Sequence, residues 1–180
     1  MPLPPLAEWE GFYVITGSSA AALTGLMFVV ITLAAERRAG KDGAVFRAFA
    51  TPTVVHFGAV LLLAGIMTTP AHTKGSLAVC LAVTGVGGLL YVGSVIGHMR
   101  HQTDYEPELS DRVWHVVLPA LAYALMLVGA FLLRGHPELA LRLVGMVTMG
   151  LLFVGIHNSW DGAVWVSTRR PGSHRERPPH

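Results

Sequence analysis

The chain is poor in cysteine, in charge and in the motifs of soluble enzymes. Its one cysteine in 180 residues is Cys80, so no disulfide can close within it. A single soft ligand also argues against structural zinc or iron–sulfur chemistry, which takes several thiolates. Asp, Glu, Lys and Arg make up 13% of the residues, against about 25% in soluble domains. That is too little charge for a surface facing water on all sides. The basic surplus is small, 13 Lys and Arg against 11 Asp and Glu, and it is scattered through loops and the tail. The clustered basic face of a nucleic-acid binder is missing. There is no phosphate-cradling glycine loop, no HExxH, and no Ser-His-Asp set on accessible elements, which argues against an enzyme acting on a soluble substrate.

Apolar sequence fills the gap. Hydrophobic residues make up 52% of the chain and mean hydropathy is +0.52. They fall in runs of roughly 20, the length that crosses a hydrocarbon core. These runs predict an all-α, five-helix transmembrane bundle in one domain, with spans at about 12–35, 49–69, 77–99, 113–133 and 139–167. Residues 1–11 are Pro-rich and acidic and form an external segment, with Trp9 as an interfacial anchor. The acidic flank and the length of the first run argue against a cleaved signal. Residues 168–180 read as a disordered tail. Thr51-Pro52 marks a helix start, Pro70 ends span two, and residues 71–76 make a tight connection. Pro119 should kink or loosen the first turns of span four. The short link Arg134–Glu138 makes spans four and five antiparallel neighbours.

Threading follows from the basic residues. With the N-terminus outside, the inner segments hold Arg37, Arg38, Lys41, Arg47, Arg100, Arg112, Arg169, Arg170, Arg175 and Arg177, and the outer ones only Lys74, Arg134 and Arg142. The positive-inside rule therefore predicts N-out, C-in. Arg over Lys, with abundant Ala, Gly and Val, fits a bacterium with a GC-rich genome, and hence a bacterial inner membrane.

Small residues at four-residue spacing let helix backbones approach closely. Gly17, Ala21 and Gly25 in span one and Gly93 and Gly97 in span three are the packing candidates. Tyr91 and Tyr123 lie deeper, and each hydroxyl needs a partner; Thr84, Ser94, Thr148 or a backbone carbonyl would serve.

On this threading, titratable groups gather at one end. His56 lies near the inner end of span two, His98 and His101 at the inner end of span three, and His115 opens span four. His157 is roughly 27 Å of helix beyond Leu139, again at the inner boundary. Asp161 is one turn further on the same face, and Glu36 lies at similar depth. Two readings compete. Imidazole with carboxylate suits a divalent metal, His98-x-x-His101 has a one-turn ligand spacing, and two facing histidines can ligate a haem. Alternatively, these groups cap helix ends and pair with nearby arginines, since water relieves burial costs at an interface. Trp114, Trp160, Trp165 and Tyr105 read as an aromatic belt on the same side. No Asp, Glu, Lys or Arg falls in the middle of any span, which weakens an ion-coupled transport mechanism.

Four stretches carry a resemblance: Gly17-Ser-Ser-Ala-Ala-Ala-Leu-Thr-Gly-Leu26, His98-Met-Arg-His-Gln-Thr-Asp-Tyr105, Trp114-His-Val-Val-Leu-Pro119 and Gly155-Ile-His-Asn-Ser-Trp-Asp161. With them the chain resembles an uncharacterised family of small bacterial multi-pass integral membrane proteins ending in an IHN-x-WD motif. Where that family carries Ala after the Asn, this chain has Ser159. The resemblance implies fold and location, and no activity. The first expectation is a non-enzymatic scaffold or partner subunit, surrounded by lipid, forming a homo-oligomer or joining a membrane protein partner, and not binding nucleic acid. The second is a haem- or metal-binding protein using His56, His98, His101, His115, His157 and Asp161. A third, small-solute passage, rests on abundant Gly and Thr.

Overall fold

A helix in hydrocarbon must satisfy every backbone N–H and C=O within itself, which leaves closed helices as the form available to runs of this length. The computed structural model describes residues 6–37, 41–101 and 112–168, with side chains at 6–33, 51–97 and 112–164. Its helices are α1 (Glu10–Arg37), α2 (Lys41–Thr68), α3 (Lys74–His101), α4 (Leu118–Leu132) and α5 (Pro137–Thr168). A 3-10 turn, Leu6–Trp9, leads into α1, and a π-helical turn, Val113–Val117, leads into α4. Five helices are long and apolar enough to cross a membrane, and the described residues contain no strand. The fold is the all-α five-helix bundle that the apolar runs predict.

The helices do not pack in chain order. α1 lies on α2, α2 on α5, α5 on α4 and α4 on α3, while α2 and α3 make only slight contact despite their short link. α5 is the most buried of the spans, and α1 and α3 are the least. Antiparallel packing of α4 on α5 follows from the tight link between them, where His136 N–H donates to Leu132 O at 2.7 Å. The two short links and the start of α1 share one end of the bundle, here the short-loop end. The C-terminus of α5 marks the opposite, tail end.

The outside is apolar. Ile15, Leu26, Val83, Leu90, Phe131 and Phe153 are all more than half exposed. A soluble monomer does not present apolar surface on that scale; a membrane-spanning bundle does.

Local chemistry fixes the helix ends. In the α2–α3 link Ala71 takes a left-handed φ of 62°. Thr73 and Ser76 then cap α3 reciprocally: Ser76 N–H donates to Thr73 Oγ1 at 3.1 Å and Thr73 N–H to Ser76 Oγ at 3.0 Å. This is the capping-box arrangement, with serine in the place of the usual Glu. The helix start expected at Thr51-Pro52 is corrected: α2 begins at Lys41 and carries Pro52 in its interior. The proline φ is already helical, so the ring costs one hydrogen bond to Ala48 O and a local adjustment rather than ending the helix. Pro119 does loosen its helix, as its position predicts. Leu118 N–H donates five residues back to Val113 O, a wider turn that relieves the crowding a proline ring imposes on the carbonyl four residues earlier, that of His115.

Close helix approach runs through glycines other than most of those the spacing singled out. A Cβ on Gly88 would collide with the Tyr123 ring, one on Gly155 would stand 2.5 Å from Phe57, and one on Gly145 2.6 Å from Trp9. Gly17 does pack, against Ala64. Within the chain, however, Ala21 is exposed, and Gly25, Gly93 and Gly97 have nothing within 4 Å of a built Cβ. Gly88→Ala should therefore destabilise the bundle by about 2 kcal/mol, the range for overpacking a fixed ring. Gly93→Ala and Gly97→Ala should hold or slightly raise stability through helix propensity. Unfolding of the three variants by heat or SDS in mild detergent measures both.

Candidate functional site

Polar side chains are few inside the bundle, so each buried one marks a decision of the fold. His56 is fully buried on α2 beside fully buried Thr53 and Phe57. Its Nδ1 lies 3.2 Å from the Tyr123 hydroxyl on α4, and its ring meets that of Tyr91 on α3 edge-on, with centroids 6.3 Å apart. His115 lies in the π-helical turn that opens α4. Gly88 on α3 leaves the space that the Tyr123 ring fills. Three helices thus converge on one imidazole.

The partner expected for Tyr123 is corrected accordingly. The Thr84 hydroxyl donates to Cys80 O at 2.9 Å, that of Ser94 to Tyr91 O at 2.7 Å, and that of Thr148 to Val144 O at 2.8 Å. Each turns back on its own helix, the usual local option for a hydroxyl within a helix. Tyr123 is paired with His56 instead.

Nearer the tail end of α5 lies a second group. The His157 ring stacks on Trp114, with centroids 3.8 Å apart and planes 23° from parallel. His157 Nε2 lies 3.1 Å from Asp161 Oδ2, one turn along. These two side chains are 32% and 45% exposed, whereas His56 is fully buried. Trp114 therefore has a specific partner beyond an aromatic belt, whereas Trp160 is 69% exposed. Between His157 and Ser159 comes Asn158, only 2% exposed, with neither amide atom hydrogen-bonded. The sequence shows an Asn in the motif; it does not show that this residue, rather than its neighbours, turns inward.

The arrangement brings His157 together with Asp161 and Trp114, and His56 together with Tyr123 and Tyr91. Among the described residues, no three of His, Cys, Asp and Glu are placed to hold a metal ion. The side chains of His98, His101, Glu36, Tyr105 and Trp165 lie outside the described residues, so the one-turn His98-x-x-His101 pair is not placed. The half-exposed His157–Asp161 pair offers an imidazole edge to a ligand, and the buried group around His56 offers hydrogen-bonding capacity. No known protein family, curated protein or solved structure matches the chain.

Two measurements test this geometry. Tyr123→Phe strips a buried imidazole nitrogen of its partner and should cost about 1–3 kcal/mol in unfolding free energy. Trp114→Ala and His157→Ala should be non-additive, with a coupling of about 0.5–1.5 kcal/mol from the stacked rings.

Proposed function

We propose that this chain is a multi-pass integral protein of a bacterial inner membrane, N-terminus outside and C-terminus cytoplasmic, serving as a non-enzymatic scaffold or partner subunit. The observation that carries the reading is the outer face of α1. That helix packs on α2 and only slightly on α5, and it leaves Ser18, Ala21, Ala22 and Gly25 exposed. In lipid, a face of small residues is where a second helix gains close van der Waals contact. The absence of midplane charge supports a role that moves no ion through the bundle. The family with the IHN-x-WD motif supports the location.

The expected result is that Ala21→Ile and Gly25→Ile abolish assembly, scored by native mass spectrometry from lipid nanodiscs, while unfolding of the single chain is unchanged. A chain that is monomeric and unaccompanied in native membranes would sink the proposal. For the threading, Ala7→Cys and Ser173→Cys in a Cys80→Ala background should react oppositely with a membrane-impermeant thiol reagent on whole cells, Ala7→Cys alone being labelled. A second reading, a haem- or metal-binding protein, is favoured by one observation: His157 and Asp161 meet at 3.1 Å, at the end where His115 also lies. A Soret band or stoichiometric metal in purified protein would move the assignment to that reading.

A further inference from the structure

Among the described residues, three buried side chains carry polar atoms with no hydrogen-bond partner in the protein: the Tyr13 hydroxyl, His56 Nε2, and both amide atoms of Asn158. His56 is 0% exposed and Asn158 2%. Leaving such groups unpaired costs about 1–3 kcal/mol each, and a native interior carries few of them.

The positions of His56 and Asn158 are related. The backbone of Gly155 meets the ring of Phe57, which sets the level at which antiparallel α5 and α2 face one another. Asn158 lies one turn past Gly155 toward the tail end, and His56 one residue before Phe57 in the same direction. The two therefore differ by only about 3 Å along the bundle axis. Around α5, Gly155 points to α2 and His157 to Trp114 at the start of α4. At about 100° per residue, Asn158 falls between those two directions, into the wedge between α2 and α4. The imidazole of His56 occupies the same wedge, because its other nitrogen reaches Tyr123 on α4.

The chemistry is complementary. With Nδ1 engaged by the Tyr123 hydroxyl, Nε2 is left either to donate or to accept, according to tautomer. An amide offers one acceptor and two donors, so Asn158 meets either need. The two are not in direct hydrogen bond. A molecule that both donates and accepts, placed between them, satisfies all three atoms, and a buried water has on average about three such partners. We infer that the wedge between α2, α4 and α5 is a binding site for one small neutral hydrogen-bonding molecule, with water as the resident, bridging His56 Nε2 and the amide of Asn158. Beside it, along the same stretch of α5, lies the half-exposed pair His157 and Asp161.

The test is solid-state NMR on the full chain in lipid bilayers with ring-¹⁵N histidine, transferring polarisation from water to the imidazoles. His56→Phe identifies the His56 signals. In the wild type, His56 Nε2 should receive magnetisation from water, slower to build than at the half-exposed residue His157. In Asn158→Leu the transfer to His56 should be lost and that to His157 kept; in Asn158→Ser, which retains a donor and an acceptor, it should persist. A wild-type His56 that receives nothing from water overturns the site, whatever the variants do. Undiminished transfer in Asn158→Leu overturns the bridge to Asn158. Should Asn158→Leu fail to fold, the wild-type and Asn158→Ser spectra decide, since loss in Asn158→Ser also counts against it.

Discussion

Every polar atom carried into this bundle has to find its partner within a few ångströms, because lipid offers none. Most do so by the shortest route: Thr16, Thr24, Thr32, Thr68 and Thr84 all return their hydroxyls to a carbonyl one turn back. Such bonds cost the helix little and bind it to nothing else. His56 cannot use that route, since a ring on Cβ does not reach its own helix ladder. It has to be met from outside, and Tyr123 meets it. That single requirement ties α2 to α4, although the two are not chain neighbours and α5 packs against both.

Aromatic rings then set the distances between helices. Tyr123, Phe57 and Trp9 each lie against a glycine on a facing helix: Gly88, Gly155 and Gly145. Without a hydrophobic driving force between helices in lipid, such close contact is the main source of cohesion. These ring-on-glycine contacts hold α3 to α4, α2 to α5 and the start of α1 to α5. The small residues left facing outward are then free for contacts beyond the chain.

Much of this was legible from residue order. Run lengths give the five spans, and the short link before Pro137 gives the antiparallel pair α4 and α5. The four-residue step from His157 to Asp161 puts both side chains on one face, where they meet at 3.1 Å. The stack of His157 on Trp114 puts those two residues at one end, as the span order implies. Direction around each helix was not legible. A rod that is apolar on all sides has no stripe to say which face turns inward, so Gly93 and Gly97 looked like a seam while Gly88 did the packing. For the same reason Tyr123 could not be matched to His56, nor Asn158 told apart from His157 as the inward residue. Pro52 misled because a proline that starts a helix and one tolerated within it in an apolar medium have the same local sequence.

The broad turn at Val113–Val117 has a consequence for how α4 divides its attention. One extra residue in a turn puts the residues before it out of phase with those after it, by roughly the 100° that separates consecutive helical residues. Trp114 can therefore answer to α5 while Tyr123, further along, answers to α2. A uniform rod would have to give up one allegiance for the other. The proline that forces the phase slip thus lets one helix serve two neighbours lying in different directions.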